Sequence, residues 1–302
     1  MSKRILYIIY FTALVASCQK DVLIIPNNNA PNYSEIPTVL LENYVNRLYI
    51  DLIGREPLDD EMDVDVQFLR DHDVSLESRD SLIFKLQFDT LYIAGDSSYK
   101  HAYFHRLYDM VKVRLIEGAS NGDVLFYMSN HYADYEVDSV AGNIIQAHKH
   151  LIKYYRLKYV IDSESEYYDG LINIKEMHKR MINNSIYDVI NMNTFNFVNA
   201  AFDNLLFRYP TQNEFNNSYS MIEDKLPHTI FGYSGSNKED FINLICNSRE
   251  FYEGVINWSY LTLLARTPTT LETDLLMNDF FVTDDFHKLQ RYIMKTDEYA
   301  HF

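Results

Sequence analysis

Leu205-Leu206-Phe207-Arg208-Tyr209-Pro210-Thr211-Gln212-Asn213-Glu214 and Leu263-Leu264-Ala265-Arg266-Thr267-Pro268-Thr269-Thr270-Leu271-Glu272 align residue for residue, and Leu52-Ile53-Gly54-Arg55-Glu56-Pro57-Leu58-Asp59-Asp60-Glu61 is a third copy. Upstream of each copy, Tyr49, Phe202 and Tyr260 fall on the same side as the leucine-like pair at helical spacing, so each copy begins as a helix with one apolar face. Proline lacks an amide donor and disfavours helix in the residue before it, so that helix ends near the arginine. Thr211 with Glu214, and Thr269 with Glu272, then have the capping-box spacing that opens a second helix. In the first copy Leu58 stands where the threonine should be, and Asp59 or Asp60 is expected to supply the cap.

The copies also end alike, in Leu86 to Tyr92, Ile245 to Phe251 and Ile293 to Tyr299, with Asp89, Ser248 and Thr296 at a cap position. The expected unit is two helices plus the start of another, about 45–55 residues long and suited to stacking. A catalytic constellation need not be repeated, whereas a brace at every turn must be. Arg55/Glu61, Arg208/Glu214 and Arg266/Glu272, together with Pro57, Pro210 and Pro268, are therefore read as turn and cap structure.

The intervening stretch shows helical spacing through Tyr99–Leu115, Val124–Tyr135 and Ile144–Val160, and no sustained β alternation. Helix boundaries are expected at residues 118–122 and 162–166, and the most flexible internal loop at 232–236. The expected fold class is all-α, with repeated helix-turn-helix units around a helical middle segment. The divisions are helical unit 1 at 38–118, a middle segment at 119–195 and paired units 2 and 3 at 196–302.

The chain opens with Lys3 and Arg4, an apolar run from Ile5 to Ala16, and Val15-Ala16-Ser17-Cys18. That layout is a secretory signal over residues 1–17, too short to span a bilayer. Residues 18–37, with Pro26, Asn27, Asn28, Asn29, Pro31 and Pro37, favour extended backbone and form a linker. Val15 to Cys18 resembles the bacterial lipobox, which implies cleavage before Cys18 and lipid on that cysteine. Cys18-Gln19-Lys20-Asp21 is similar to the export signal of surface lipoproteins in Bacteroidota-type bacteria. This implies an outer-membrane address, with the cell surface preferred over the periplasmic face. Asn46 to Pro57, with Leu86 to Tyr92, resembles a domain of unknown function that accompanies cytochrome c modules in planctomycetes. The unit also resembles the helical Leu-Gly-Arg-x-Pro repeat related to phycobilisome linkers. Neither family brings a defined catalytic residue.

Composition narrows the function classes. With 302 residues, 47% apolar, 25 Tyr and 18 Phe, the chain can pack a large core. Its formal charge is −16, and −18 once Lys3 and Arg4 are removed with the signal, which repels phosphate backbones and excludes a nucleic-acid partner as the leading reading. There is no Cys-x-x-Cys-His for covalent haem, no Gly-x-Ser-x-Gly elbow and no phosphate-binding glycine loop. His101 and His105 share a helix face without an identifiable third ligand, and His148 and His150 project to different faces, so no metal or cofactor is expected. Cys246, left without a partner, reads as a buried inert thiol. The tyrosines Tyr132, Tyr135, Tyr154, Tyr155 and Tyr159, with Tyr167 and Tyr168, are candidates for a partner or ligand surface. Asp80-Ser81, Asp89-Thr90 and Asp138-Ser139 resemble a short envelope O-glycosylation signal.

These observations point to a non-enzymatic outer-membrane lipoprotein. It would act as a helical scaffold or accessory subunit of an envelope complex for secretion, assembly, motility or nutrient uptake, with a β-barrel among its partners. The alternative is a surface lipoprotein that captures glycan or peptide for import.

Overall fold

The computed structural model describes residues 36–302. The signal segment, Cys18 and the linker as far as residue 35 lie outside the described residues. Ile36 is buried and Pro37 caps the first helix, so the expected linker is shorter at its end by those two residues. No helix among the described residues is long and apolar enough to cross a membrane.

The first unit comprises α1 (Thr38–Ile53), α2 (Asp59–Asp71) and α3 (Leu76–Phe88). Next come α4 (Tyr99–Leu115), α5 (Asn121–Val140), α6 (Ile144–Tyr168), α7 (Ile174–Ile182) and α8 (Ser185–Asn191). The second unit comprises α9 (Thr194–Leu206), α10 (Gln212–Glu223), strands β1 (His228–Ile230) and β2 (Tyr233–Gly235), and α11 (Lys238–Cys246). The third comprises α12 (Arg249–Leu264), α13 (Thr270–Thr283) and α14 (Phe286–Met294), followed by the short α15 (Asp297–Ala300). The described part is thus helical apart from one two-stranded sheet.

Each unit holds three helices rather than the expected two. The added breaks follow from backbone at positive φ, at Asp73 and Val74 in the first unit and at Asp284 in the third. In the second unit an antiparallel hairpin pairs His228 with Gly235 and Ile230 with Tyr233. The segment expected to be the most flexible loop is therefore partly strand. Phe231 and Gly232 turn the chain at φ 52° and 83°, and Asp240 holds the exit by accepting from the Ser236 amide at 2.8 Å.

The first helix of each unit ends in left-handed backbone. In the first copy this is Gly54 at φ 79°, but in the others it is Phe207 at 55° and Ala265 at 53°. Such a conformation costs a non-glycine residue about 1–2 kcal/mol, which the turn contacts described below offset. Ser248 and Thr296 cap α12 and α15, accepting from the amides of Phe251 and Tyr299. Asp89 opens no helix: it is the C-cap of α3, its side chain accepts from the Leu91 amide at 2.8 Å in a turn, and the next helix starts only at Tyr99.

Leu58 opens α2 without a side-chain cap, and neither Asp59 nor Asp60 replaces it. Glu61 alone reaches back, accepting from the Leu58 amide at 2.8 Å. Leu58→Thr at this exposed position restores the missing acceptor. It is expected to stabilise the protein by about 1 kcal/mol, read as a raised urea midpoint at unchanged slope.

The expected boundary at 162–166 is absent, since α6 runs unbroken to Tyr168. Ser163 Oγ donates to the Tyr159 carbonyl at 2.6 Å and Ser165 Oγ to the Asp162 carbonyl at 3.1 Å. Serines that bond back to their own helix tolerate its interior.

Buried apolar side chains run as one cluster from Ile36 to Ala300. The first unit is clasped to the C-terminus. Tyr44 OH donates to the Met294 carbonyl at 3.2 Å, Arg47 to the carbonyls of Leu263 and Tyr299, and Tyr299 OH to Asp51 at 2.8 Å. α5 and α6 form a long antiparallel hairpin. From Ser129 to Gln146 none of its residues is buried.

Candidate functional site

The three turns have one geometry. Arg55 forks onto both oxygens of Glu61 at 2.7 and 2.8 Å, Arg208 onto Glu214 at 2.9 and 2.7 Å, and Arg266 onto Glu272 at 2.9 and 2.6 Å. Each arginine also donates to the carbonyl of the residue before the proline: Glu56 before Pro57, Tyr209 before Pro210, Thr267 before Pro268. The guanidinium lies over the upstream ring of Tyr49, Phe202 or Tyr260 at 5.6, 5.2 and 5.0 Å. Thr211 and Thr269 close true capping boxes. A further acid, missed in the sequence, takes each arginine's Nε: Asp96 at 2.5 Å, Glu250 at 2.7 Å and Glu298 at 2.6 Å. Every nitrogen of these guanidinium groups donates to a structural partner, and the arrangement braces turns.

These contacts make stability pH-dependent. Glu61, Glu214 and Glu272 are held at about 2, against an ordinary 4.5. For Glu61 burial is the largest influence and pushes upward, but the hydrogen bonds from Arg55, the Leu58 amide and Tyr99 outweigh it. For Glu214 and Glu272 the paired arginine leads. A carboxylate depressed on folding stabilises the protein above its unfolded pKa and loses that contribution as pH falls toward its folded one. The buried imidazoles of His178 and His287, lowered by burial to about 3 and about 4 from 6.5, act in the same direction. Unfolding free energy is expected to decline as pH drops below about 6.5 and to fall more steeply from about 4.5 to 2. Denaturant titrations at stepped pH check this, and Glu214→Gln should flatten the lower limb.

The tyrosine candidates gather on the α5–α6 hairpin. Ring centroids separate Tyr132 from Tyr135 by 5.8 Å, Tyr132 from Tyr154 by 5.4 Å, and Tyr154 from Tyr155 by 5.3 Å. Tyr159 lies one turn further along α6, with Arg180 over its ring at 5.3 Å. Tyr132, Tyr155 and Tyr159 are exposed, so this is an open face. Beyond it lies an apolar tip, with Val137 69%, Val140 92%, Ile144 65% and Ile145 78% exposed. Residues 132–140 carry α5 about 13 Å past its hydrogen bond to the body, from His131 to Ser185.

Tyr167 and Tyr168 are elsewhere. They line a cleft of about 580 Å³ where α3, α4, the end of α6 and α14 meet. Phe84, Phe88 and Phe104 supply further rings there, with Lys100 3.9 Å from the Tyr168 ring centre and Arg291 and Asp284 at the margin.

The other candidates separate. His105 pairs with Glu164 at 2.8 Å and Asp109 at 3.5 Å, while His101 packs edge-on against Tyr168. His148 is exposed, whereas His150 is largely covered. Cys246 is buried and its thiol is pushed up to about 12, mainly by burial, which makes it a poor nucleophile at neutral pH. Ser81 donates to the Glu77 carbonyl, and Asp80 is engaged by Lys295 and Arg291. Comparison with protein-family models, with curated proteins and with solved structures finds no match.

Proposed function

We propose that the chain is a non-enzymatic scaffold, held at an outer membrane by lipid on Cys18, that docks through its α5–α6 hairpin onto an envelope complex. The observation that carries this reading is the projecting hairpin itself. Four large aliphatic side chains at its tip are open to solvent, with tyrosine rings on the adjoining face. Exposed apolar clusters rimmed by polar residues mark association surfaces, and tyrosine is enriched among residues that dominate binding energy. The braced turns support the reading as well, because a tip on a rigid body loses little entropy on docking. The partner class, an outer-membrane complex that includes a β-barrel, rests on the lipobox-like and export-like residues.

A mild-detergent pull-down of the natively expressed, C-terminally tagged protein from outer membranes tests this. A stoichiometric envelope component is the expected result, lost in Val140→Asp/Ile144→Asp. Recovery of the chain alone would overturn it.

A second reading has its own observation, the aromatic cleft at Tyr167 and Tyr168. Flat rings beside Lys100, Arg291 and Asp284 suit stacking and hydrogen bonding to a glycan or peptide. Saturable binding that Tyr168→Ala abolishes, in a protein that recovers no partner, would favour ligand capture.

A further inference from the structure

Just below the exposed tip, His131 and Asp134 lie one turn apart on α5 and face His150 on α6. One ligand atom from each falls within 4.8 Å of the others, and Asp134 Oδ2 is 3.5 Å from His150 Nδ1. In a tetrahedral site with bonds of about 2.0–2.1 Å, neighbouring ligand atoms stand about 3.3 Å apart. Side-chain rotations of about an ångström therefore bring all three onto a common centre.

The imidazoles are prepared for this. Nδ1 of His131 and Nδ1 of His150 are both shut off from solvent and make no hydrogen bond among the described residues. A buried, unsatisfied nitrogen carries a cost, and the His150 nitrogen stands 3.5 Å from the Asp134 carboxylate. Their opposite nitrogens are held. His131 Nε2 is 2.9 Å from Ser185 Oγ, and His150 Nε2 faces Asp138 Oδ2 at 3.6 Å. The Gln146 side-chain amide, 3.3 Å from the same His150 nitrogen, accepts from it once its oxygen is turned inward. A hydroxyl or carboxylate behind an imidazole fixes the tautomer that leaves Nδ1 free as a ligand, the usual outer shell of a metal-bound histidine.

The local charge is compatible. Lys153 opposes a cation, and Asp134 and Asp138 more than offset it.

We propose that His131 Nδ1, Asp134 and His150 Nδ1 form a three-ligand site for one divalent cation of the Zn2+ class. Two imidazoles and one carboxylate are borderline donors that suit such an ion, and three protein ligands leave a fourth position open to water or to a donor from outside the chain. The ion ties α5 to α6 where the hairpin leaves the body. The proposal departs from the sequence expectation of no metal, which considered His150 only with His148, and it does not depend on the docking reading.

The test is calorimetric titration of the full chain, purified in detergent and stripped with a chelator, using Zn2+ alone, with Co2+ visible absorption reporting coordination. One equivalent is expected, with a four-coordinate Co2+ spectrum. His131→Ala or His150→Ala should weaken binding about 100-fold or more, Asp138→Asn about 10-fold, and His148→Ala not at all. Asp134→Asn changes an exposed, nearly isosteric side chain and settles the matter should either histidine variant fail to fold. Absence of saturable binding, unchanged affinity in Asp134→Asn, or an equal loss in His148→Ala would overturn the site.

Discussion

Gly254→Ala is expected to destabilise the protein by about 3–5 kcal/mol, a fall of about 10 °C or more in Tm. Gly254 is buried in α12 where that helix crosses the end of α9, and a Cβ built there would stand 1.9 Å from the Leu205 carbonyl oxygen and 3.3 Å from Leu206 Cα. The obstacle is backbone, so no side-chain rotation relieves it and the second and third units must part. Gly122→Ala is the matched control of opposite sign. Gly122 sits in the first turn of α5, and its added Cβ meets only Ser120 Oγ at 3.4 Å. Reduced unfolded-state entropy should stabilise that variant by about 0.5–1 kcal/mol. Thermal melts of the two variants side by side check both signs.

Arg79→Ala is expected to cost about 3–5 kcal/mol. The Arg79 side chain is fully buried in α3. It donates to the Val74 carbonyl at 3.0 Å, the Lys295 carbonyl at 2.9 Å and Asp297 at 2.7 Å, with its guanidinium 4.8 Å from the Phe302 ring centre. Truncation opens a cavity and leaves acceptors of two chain segments unsatisfied at once. Arg79→Lys should recover little, because one ammonium cannot reach in three fixed directions. The loss should be accompanied by early hydrogen exchange at α15, since this arginine ties the C-terminus to the first unit. Unfolding by denaturant, with exchange followed by mass spectrometry, measures both effects.

What was legible in the sequence was local. The spacing of arginine, proline and glutamate defines a turn within ten residues, and three repetitions of one spacing separate pattern from accident. Glu250 and Glu298 were within reach too, because each stands two residues after its cap, Ser248 or Thr296, in segments that already align. Asp96 was not, because the first unit lacks that helix start and the acid arrives from a loop. Glycine at the turn, as in Ile53-Gly54-Arg55 of the first copy, is not a requirement of the repeat. Phe207 and Ala265 occupy the same left-handed position.

Long-range relations left no such mark. Nothing about Arg79 in sequence announces a partner more than two hundred residues away, and Gly254 is no part of the repeated pattern. The polar run at 162–166 read as a break because serine and aspartate compete with helix backbone, yet here the serines bond back into it. His131 was passed over for a related reason. Its partner His150 is distant in sequence and only the antiparallel hairpin brings them together. Tyr167 and Tyr168 were grouped with the other tyrosines by residue type, while the end of α6 carries them into a separate cleft.

The central claim, docking through the hairpin tip, is tested most directly by site-specific photocrosslinking in native membranes. A photoreactive residue is placed at Ile144 in one strain and at Gln212, on the exposed start of α10, in another. The account predicts one discrete adduct with an envelope protein from position 144 and none from position 212. An adduct from position 212 alone, or none from position 144 in a protein that is folded and membrane-bound, would contradict it.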